Sequence, residues 1–251
     1  MIKELEVAKN VKDAVKLVKQ GYLPYAGGTE ITRLGSFVKG EKFVSLKKCA
    51  LDTIEEIGDE IKIGAMCTFT DLIKSPIIPD ALKKALHFCS SLQKRNMATI
   101  GGNIQMHRDD SYLIPTLIAY DSEIESSSGK GRHPMFILDD IDLKREFITY
   151  IYIKKNRTVV SDRIANTQAS HALITASIGG VSKDEFVISA AIKDTAIISM
   201  LGDPSTYATF QDGITFKSDV LYGSKEYKKY ITATVIEGLV KEYEKKIGGN
   251  K

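Results

Sequence analysis

Two glycine pairs, each followed by a polar side chain, constrain this chain more than any other feature. The first lies in "PYAGGTEI", residues 24–31, and the second in "RNMATIGGNI", residues 95–104. A Gly-Gly step lets the backbone take positive φ and lets another group approach the main chain closely. Successive N–H groups in such a turn form an anion-binding concavity, and a helix starting after it adds its dipole. Taken singly, either pair is better accounted for by a tight loop between packed elements. Together they suit a ligand with two phosphoryl groups, held from both sides. Neither segment reads GxGxxG and neither runs into GK[ST], so the Rossmann and P-loop readings fail. What remains is a dinucleotide held by a different fold.

The elements around these turns are mixed. Asn10 caps a predicted helix through "VKDAVKLVKQ", with Val11, Ala14, Val15 and Val18 on one face and Gly21 as the stop. "YLPYA" is a short extended piece in which Pro24 argues against a central strand. "GGTE" turns the chain, and "ITRLGSF" begins a helix. "KFVSL" and the alternating "EIKIGAM" suit strands, while "CTFTDLIKSP", "PDALKKALHFCSSL" and "SYLIPTLIAY" suit helices, the last with Pro115 in its first turn. "SEIESSSGKGRH" leads from a strand into a loop, and "EFITYIYIKKN" is β-rich. A domain boundary is expected near residue 156, giving an N-terminal domain of residues 1–156, itself two lobes split near 55–60, and a C-terminal domain of residues 157–251. In the latter, Ser224 is the expected N-cap of a long helix, with a stripe of Tyr227, Tyr230, Ile231, Val235, Leu239 and Val240 and a stop at Gly248. Strands and helices alternate without the regular cycle of a doubly wound sheet, so the class is α+β.

Composition removes several functions. The net charge of +3 is mild and the lysines are spread along the chain, which argues against a nucleic-acid partner. Cys49, Cys67 and Cys89 lie far apart, form no CxxC and have no His at ligand spacing, so no metal or iron–sulfur site is expected within the chain. No apolar run reaches membrane-spanning length and "MIKELEVAKN" lacks a signal-peptide core, which together point to a cytoplasmic protein. His87, His133 and His171 pair in sequence with no Cys, Ser or Asp in a triad-like pattern and receive no chemistry, and His107 and Arg108 read as surface polar residues.

The two glycine segments resemble the AGGT[DE] and RNxxTIGGN signatures of the FAD-binding subunit of molybdenum hydroxylases, a family that includes xanthine dehydrogenase and carbon monoxide dehydrogenase. "IKIGAMCTFTDL" is similar to the family's IGAxxT segment, "IPTLIAYDSEIE" to PxLLALDAEVE, and "DVLYGSKEYKKYI" to DxxGSxxYRR of its C-terminal domain. The resemblance spans nearly the whole chain in the family's order, with shortened connections around residues 128–165. It implies a vanillyl-alcohol-oxidase-type (PCMH-like) FAD-binding domain of two α+β lobes and a small α+β C-terminal domain that helps cover the flavin.

The resemblance also implies a cofactor set. Ala26, Gly27, Gly28, Thr29, Glu30 and Ile31 form the first pyrophosphate loop, and Thr99, Ile100, Gly101, Gly102 and Asn103 the second. Backbone N–H groups of both loops do the binding, and the hydroxyls of Thr29 and Thr99 add donors. Glu30 beside a diphosphate either points away or caps the following backbone. Where the family has an Asp after GGN, this chain has Tyr112; either Asp109 or Asp110 takes that role, or the contact is lost. Arg163 stands near the family's C-terminal-domain Lys and supplies positive charge to the reduced flavin. No residue is assigned a catalytic role.

The function implied is a redox subunit that takes electrons from a partner's 2Fe–2S clusters through FAD to NAD or another acceptor. Substrate hydroxylation then belongs to a molybdopterin-binding large subunit. Two alternatives are a scaffold that has lost FAD and a stand-alone flavin-dependent reductase. The intact glycine pairs argue against the first, and the second calls for an acid or base near the flavin that the sequence does not display.

Overall fold

Helix and strand interleave along the first part of the chain, and strands dominate before a long final helix. The structure, a computed structural model, describes residues 2–33, 38–140, 143, 145–202, 209–219 and 221–249. The elements begin β1 Glu4–Val7, α1 Val11–Lys19, β2 Leu23–Tyr25, β3 Lys42–Ser45, β4 Ile54–Ile57 and β5 Glu60–Gly64. Helices follow: α2 Phe69–Lys74, α3 Asp80–His87, α4 Leu92–Arg95, α5 Ile100–Gln105 and α6 Ile114–Ala119. Then come β6 Glu123–Ser126, β7 Arg132–Pro134, a 3-10 helix at Met135–Asp140, and β8 Ile148–Lys154. The chain ends with β9 Thr158–Ile164, β10 Ile174–Gly180, β11 Phe186–Ile192, β12 Ala196–Gly202 and α7 Lys225–Gly249. No helix among the described residues is long and apolar enough to cross a membrane.

Two compact units emerge. The first comprises Met1–Ile77, Ser91–Met106 and Glu123–Tyr152, and the second Ile78–Ser90, His107–Ser122 and Ile153–Lys251. Both glycine segments therefore lie in the first unit, while the acidic "HRDDSY" stretch lies in the second.

In the first unit, the Asn10 side chain accepts the Asp13 N–H and caps α1. Ala14 and Val18 bury against Val44, Leu46, Leu51 and Phe147, with Val11 and Val15 packed beside them. Strands β1, β3 and β2 form a parallel sheet in that order. β2 is at its edge, where the missing N–H of Pro24 removes no essential ladder bond. A five-stranded sheet runs β4-β5-β8-β6-β7. Helix α2 starts with a capping box: Thr68 and Asp71 satisfy each other's backbone N–H. The helix expected in "ITRLGSF" is not formed at Ile31, Thr32 and Arg33, which lie in a turn and bend, and residues 34–37 lie outside the described residues.

The second unit is built on the antiparallel sheet β12-β11-β10-β9. Every residue of β10 is buried, because α6 packs on β10 and β11 and α7 on β9 and β10. Buried hydroxyls of Thr116, Ser161 and Ser177 satisfy one another at 2.9–3.0 Å where α6 meets the sheet. Ser224 caps α7, accepting from the Tyr227 N–H at 3.1 Å. The buried face of α7 is Ile231, Val235, Ile236, Leu239, Val240 and Tyr243, together with Lys228 and Thr232. Tyr227 and Tyr230 do not belong to it: they are 44% and 68% exposed. The buried slot in the first turns is instead filled by the stem of Lys228, whose ammonium donates to the Lys193 carbonyl at 3.1 Å.

Candidate functional site

The first glycine loop begins where β2 ends, at Tyr25, whose carbonyl accepts the Leu46 N–H. Gly28 takes φ +70°, a conformation costly for other residues. Its carbonyl accepts both the Thr32 N–H (3.0 Å) and the Thr32 hydroxyl (2.9 Å), which closes the turn. The Glu30 carboxylate is paired with Arg33, with Nε–Oε1 at 2.9 Å and a second contact at 2.8 Å. Its charge is thus neutralised locally, which answers the puzzle of an acidic residue in such a loop. Among the described residues, the N–H groups of Ala26, Gly27, Gly28 and Thr29 have no acceptor, and the Thr29 hydroxyl has no partner.

The second loop is held differently. Thr99 is extended (φ −100°, ψ 151°) and caps α5, its hydroxyl oxygen accepting the Gly102 N–H at 3.2 Å. The Ile100 N–H donates to the Cys67 carbonyl, that of Gly101 to Ala65, and that of Asn103 to Thr99, each at 3.0 Å. The expectation that both loops offer a backbone cradle is therefore corrected. The segment at residues 65–69 runs alongside and takes two of the donors that a helix start ordinarily leaves over, and the Thr99 cap takes a third. Gly101 is needed for this approach, because a Cβ there would sit 2.9 Å from the Ala65 carbonyl oxygen. Ile100 and Ile104 are fully buried and anchor α5. Gln105 fastens its other end, donating to the carbonyls of Leu143 and Glu146 and accepting from the Ile148 N–H. Among the described residues, the polar groups of this loop that remain available for a ligand include the Thr99 hydroxyl hydrogen and the Asn103 Oδ1, which is buried and has no hydrogen-bond partner.

The loops lie side by side. A Cβ at Gly27 would fall onto the Met97 carbonyl, and one at Gly102 would come within 3.8 Å of the Ala26 Cβ. Residues 26–31 and 99–103, remote in sequence, thus form one constellation inside the first unit. Cys67 beneath it is inert: burial first, and the nearby Asp71 charge second, push its thiol up to about 12.

Asp109, Asp110 and Arg163 belong to the second unit. Asp110 is the centre of a buried ion cluster. Arg108 grips it with two bonds, at 2.7 and 3.0 Å, Lys193 approaches to 2.5 Å, and His171 Nδ1 lies at 3.6 Å. Burial raises the Asp110 carboxyl, but the hydrogen bonds of Arg108 and Lys193 outweigh it and hold the group well below the usual carboxylate range. Asp109 accepts the Asp194 N–H at 2.7 Å. The Arg163 guanidinium donates to the carbonyls of Phe88, Ser170 and Gln168. Arg108 is not the surface residue expected, since its side chain is only 17% exposed. His171, to which the sequence assigned nothing, stacks on Tyr112 and bonds its hydroxyl at 2.8 Å. Neither His171 nor Lys193 could be found from the sequence, because their partners lie 59 and 83 positions away.

Comparison with known proteins bears on residues of both units. Residues 3–148 match the family described as the FAD binding domain in molybdopterin dehydrogenase. Protein YgfM of Escherichia coli (strain K12) is 29% identical over 225 residues, which are 86% of this chain and 85% of that protein. The nicotinate dehydrogenase FAD-subunit of Eubacterium barkeri is 31% identical over 146 residues, 56% of this chain and 49% of that subunit. The fold is that of carbon monoxide dehydrogenase from Hydrogenophaga pseudoflava, with a TM-score of 0.83 at 19% identity over 97% of both chains. Quinoline 2-oxidoreductase from Pseudomonas putida 86 gives a TM-score of 0.83 at 16% identity over 98% of both chains. Both glycine loops fall inside the matched region, and the chain belongs to the family of FAD-binding domains of molybdopterin dehydrogenases, with FAD as its cofactor.

Proposed function

We propose that this chain is the FAD-bearing redox subunit of a molybdenum hydroxylase complex, of the xanthine dehydrogenase type. The observation that carries the assignment of the site is the set of uncommitted N–H groups at residues 26–29, beside a buried Asn103 Oδ1 that lacks a donor. These groups fit a dinucleotide: the N–H groups of Ala26, Gly27, Gly28 and Thr29 face an anion, and Asn103 accepts from a cofactor hydroxyl. The hydroxyls of Thr29 and Thr99 add donors. Glu30 and Ile31 complete the turn, and Ile100, Gly101 and Gly102 bring the second loop against the first. Asp109, Asp110 and Arg163 serve to fix loops of the second unit. Bound FAD supplies the one- and two-electron chemistry that no side chain here possesses.

In this reading residues 1–156 are the FAD-binding domain and residues 157–251 a C-terminal domain that covers the flavin. The partners are a molybdopterin-binding large subunit and a 2Fe–2S small subunit, the acceptor is NAD or another oxidant, and the location is cytoplasmic. The likeness to the nicotinate dehydrogenase FAD-subunit supports a place in such a complex. The test is co-expression with candidate molybdopterin and 2Fe–2S subunits, followed by affinity purification. The expected result is a complex with FAD released on denaturation, while the chain alone oxidises NADH with a dye at most and hydroxylates nothing. Purification of the chain alone under those conditions, or hydroxylation without partners, sinks the proposal.

A further inference from the structure

We propose that Tyr25 is a further cofactor-binding residue, its phenol donating a hydrogen bond to the FAD diphosphate beside the N–H groups of the first loop. This rests on the reading that the first loop holds the diphosphate. Tyr25 is the last residue of β2, and its ring packs edge-on against Phe43, with centroids 6.2 Å apart and planes at 84°. Phe43 is fully buried and holds the ring in place. The tip of the ring crosses Gly28, so that the hydroxyl and Cζ occupy the position a side chain at Gly28 would take.

The hydroxyl nevertheless has no hydrogen-bond partner within the described residues. It is held by packing, at a turn whose N–H groups at residues 26–29 are equally without acceptors. Donors of two kinds therefore gather at one turn with no acceptor among the described residues to receive them. A phosphoryl oxygen is an acceptor for both, and a bond from a neutral donor to a charged oxygen is stronger than one to a neutral group. Glu30, the carboxylate in the loop, is turned to Arg33. The competing role for Tyr25 is a plug that covers Gly28, and that role needs the ring but not the hydroxyl.

Y25F separates the two, because it keeps the ring. The full-length chain stripped of FAD is titrated with FAD, with ADP and riboflavin as competitors, and its urea midpoint is measured in parallel. FAD and ADP should each bind about tenfold or more weakly to Y25F. Riboflavin, which has no phosphate, should bind unchanged, and the urea midpoint should not move. Unchanged FAD affinity reduces Tyr25 to a plug and overturns the proposal. An equal loss for riboflavin places the hydroxyl away from the diphosphate and overturns it as well. Gly102→Val, measured beside it, reports on the underlying reading. If that variant loses FAD while Y25F keeps it, only the Tyr25 proposal fails. If Gly102→Val keeps FAD at full stoichiometry, the loops do not hold the cofactor and both fail.

Discussion

At residues 26–29 the backbone N–H groups donate to nothing within the described residues, whereas at residues 100–103 each donates to a carbonyl or hydroxyl of the chain. The same dipeptide serves opposite ends. In the first loop, Gly28 permits a positive φ that turns the donors away from the chain's own acceptors. In the second, Gly101 permits the backbone at Ala65 to come close enough to take the Gly101 N–H, while Cys67 takes that of Ile100 and Thr99 those of Gly102 and Asn103. A glycine pair is thus no evidence of an anion cradle until its neighbours are known. The acidic stretch after the second loop follows the same pattern, since Asp109 and Asp110 are both engaged within the chain.

The contrast can be broken at its most committed point first. Asp110→Asn leaves Arg108 and Lys193 facing a neutral amide in a buried setting, and should cost about 3–5 kcal/mol in urea unfolding. The pH dependence has a definite sign. The folded carboxyl lies below its ordinary value of 3.8, so its contribution is fully present above that value and is lost as pH falls through the folded one. Wild type should therefore begin to lose stability as pH falls below about 4 and go on losing it below about pH 3, and Asp110→Asn should show a flatter profile over that range. Identical profiles would mean that the cluster does not hold the carboxyl as described.

Gly27→Ala and Gly101→Ala probe packing between and behind the loops. Each drives a methyl group against backbone, at Met97 and Ala65 respectively, and each should destabilise the chain by about 1–3 kcal/mol, Gly27→Ala the more. A neutral Gly101→Ala would remove the claim that this glycine serves close approach. Thr99→Ala deletes the cap of α5 and should cost about 1 kcal/mol, seen as a lower thermal midpoint of the FAD-free chain. The smallest effect on stability sharpens the comparison most. Asn103→Ala removes a buried oxygen that has no partner, so the FAD-free chain should change by less than about 0.5 kcal/mol while FAD affinity falls about tenfold. A large loss of stability without loss of affinity would reverse the roles given to the second loop.

Much of the local structure was legible because its causes are local. Asn10 and Ser224 cap the helices they precede, and the alternation of "EIKIG" makes β5. Pro24 marks an edge strand for want of an N–H. The first glycine segment was legible as a turn, whereas the second pair lies in the first turn of α5, and the residues around both were sufficient to name the family. Which donors remain available was not, because it depends on whether residues 65–69 lie within reach of residues 100–103 and not of residues 26–29. The exposure of Tyr227 and Tyr230 escaped for a similar reason: helical periodicity gives a stripe, but the packing of α7 on the sheet decides which residues of each turn face inward, and in the first turns these are Lys228, Ile231 and Thr232. Lys193, His171 and Tyr112 meet around Asp110 only after the strands have paired. A hydrogen bond between near neighbours is written into the order of the residues. One between distant segments is decided by which surfaces bury against each other, and that required the folded chain.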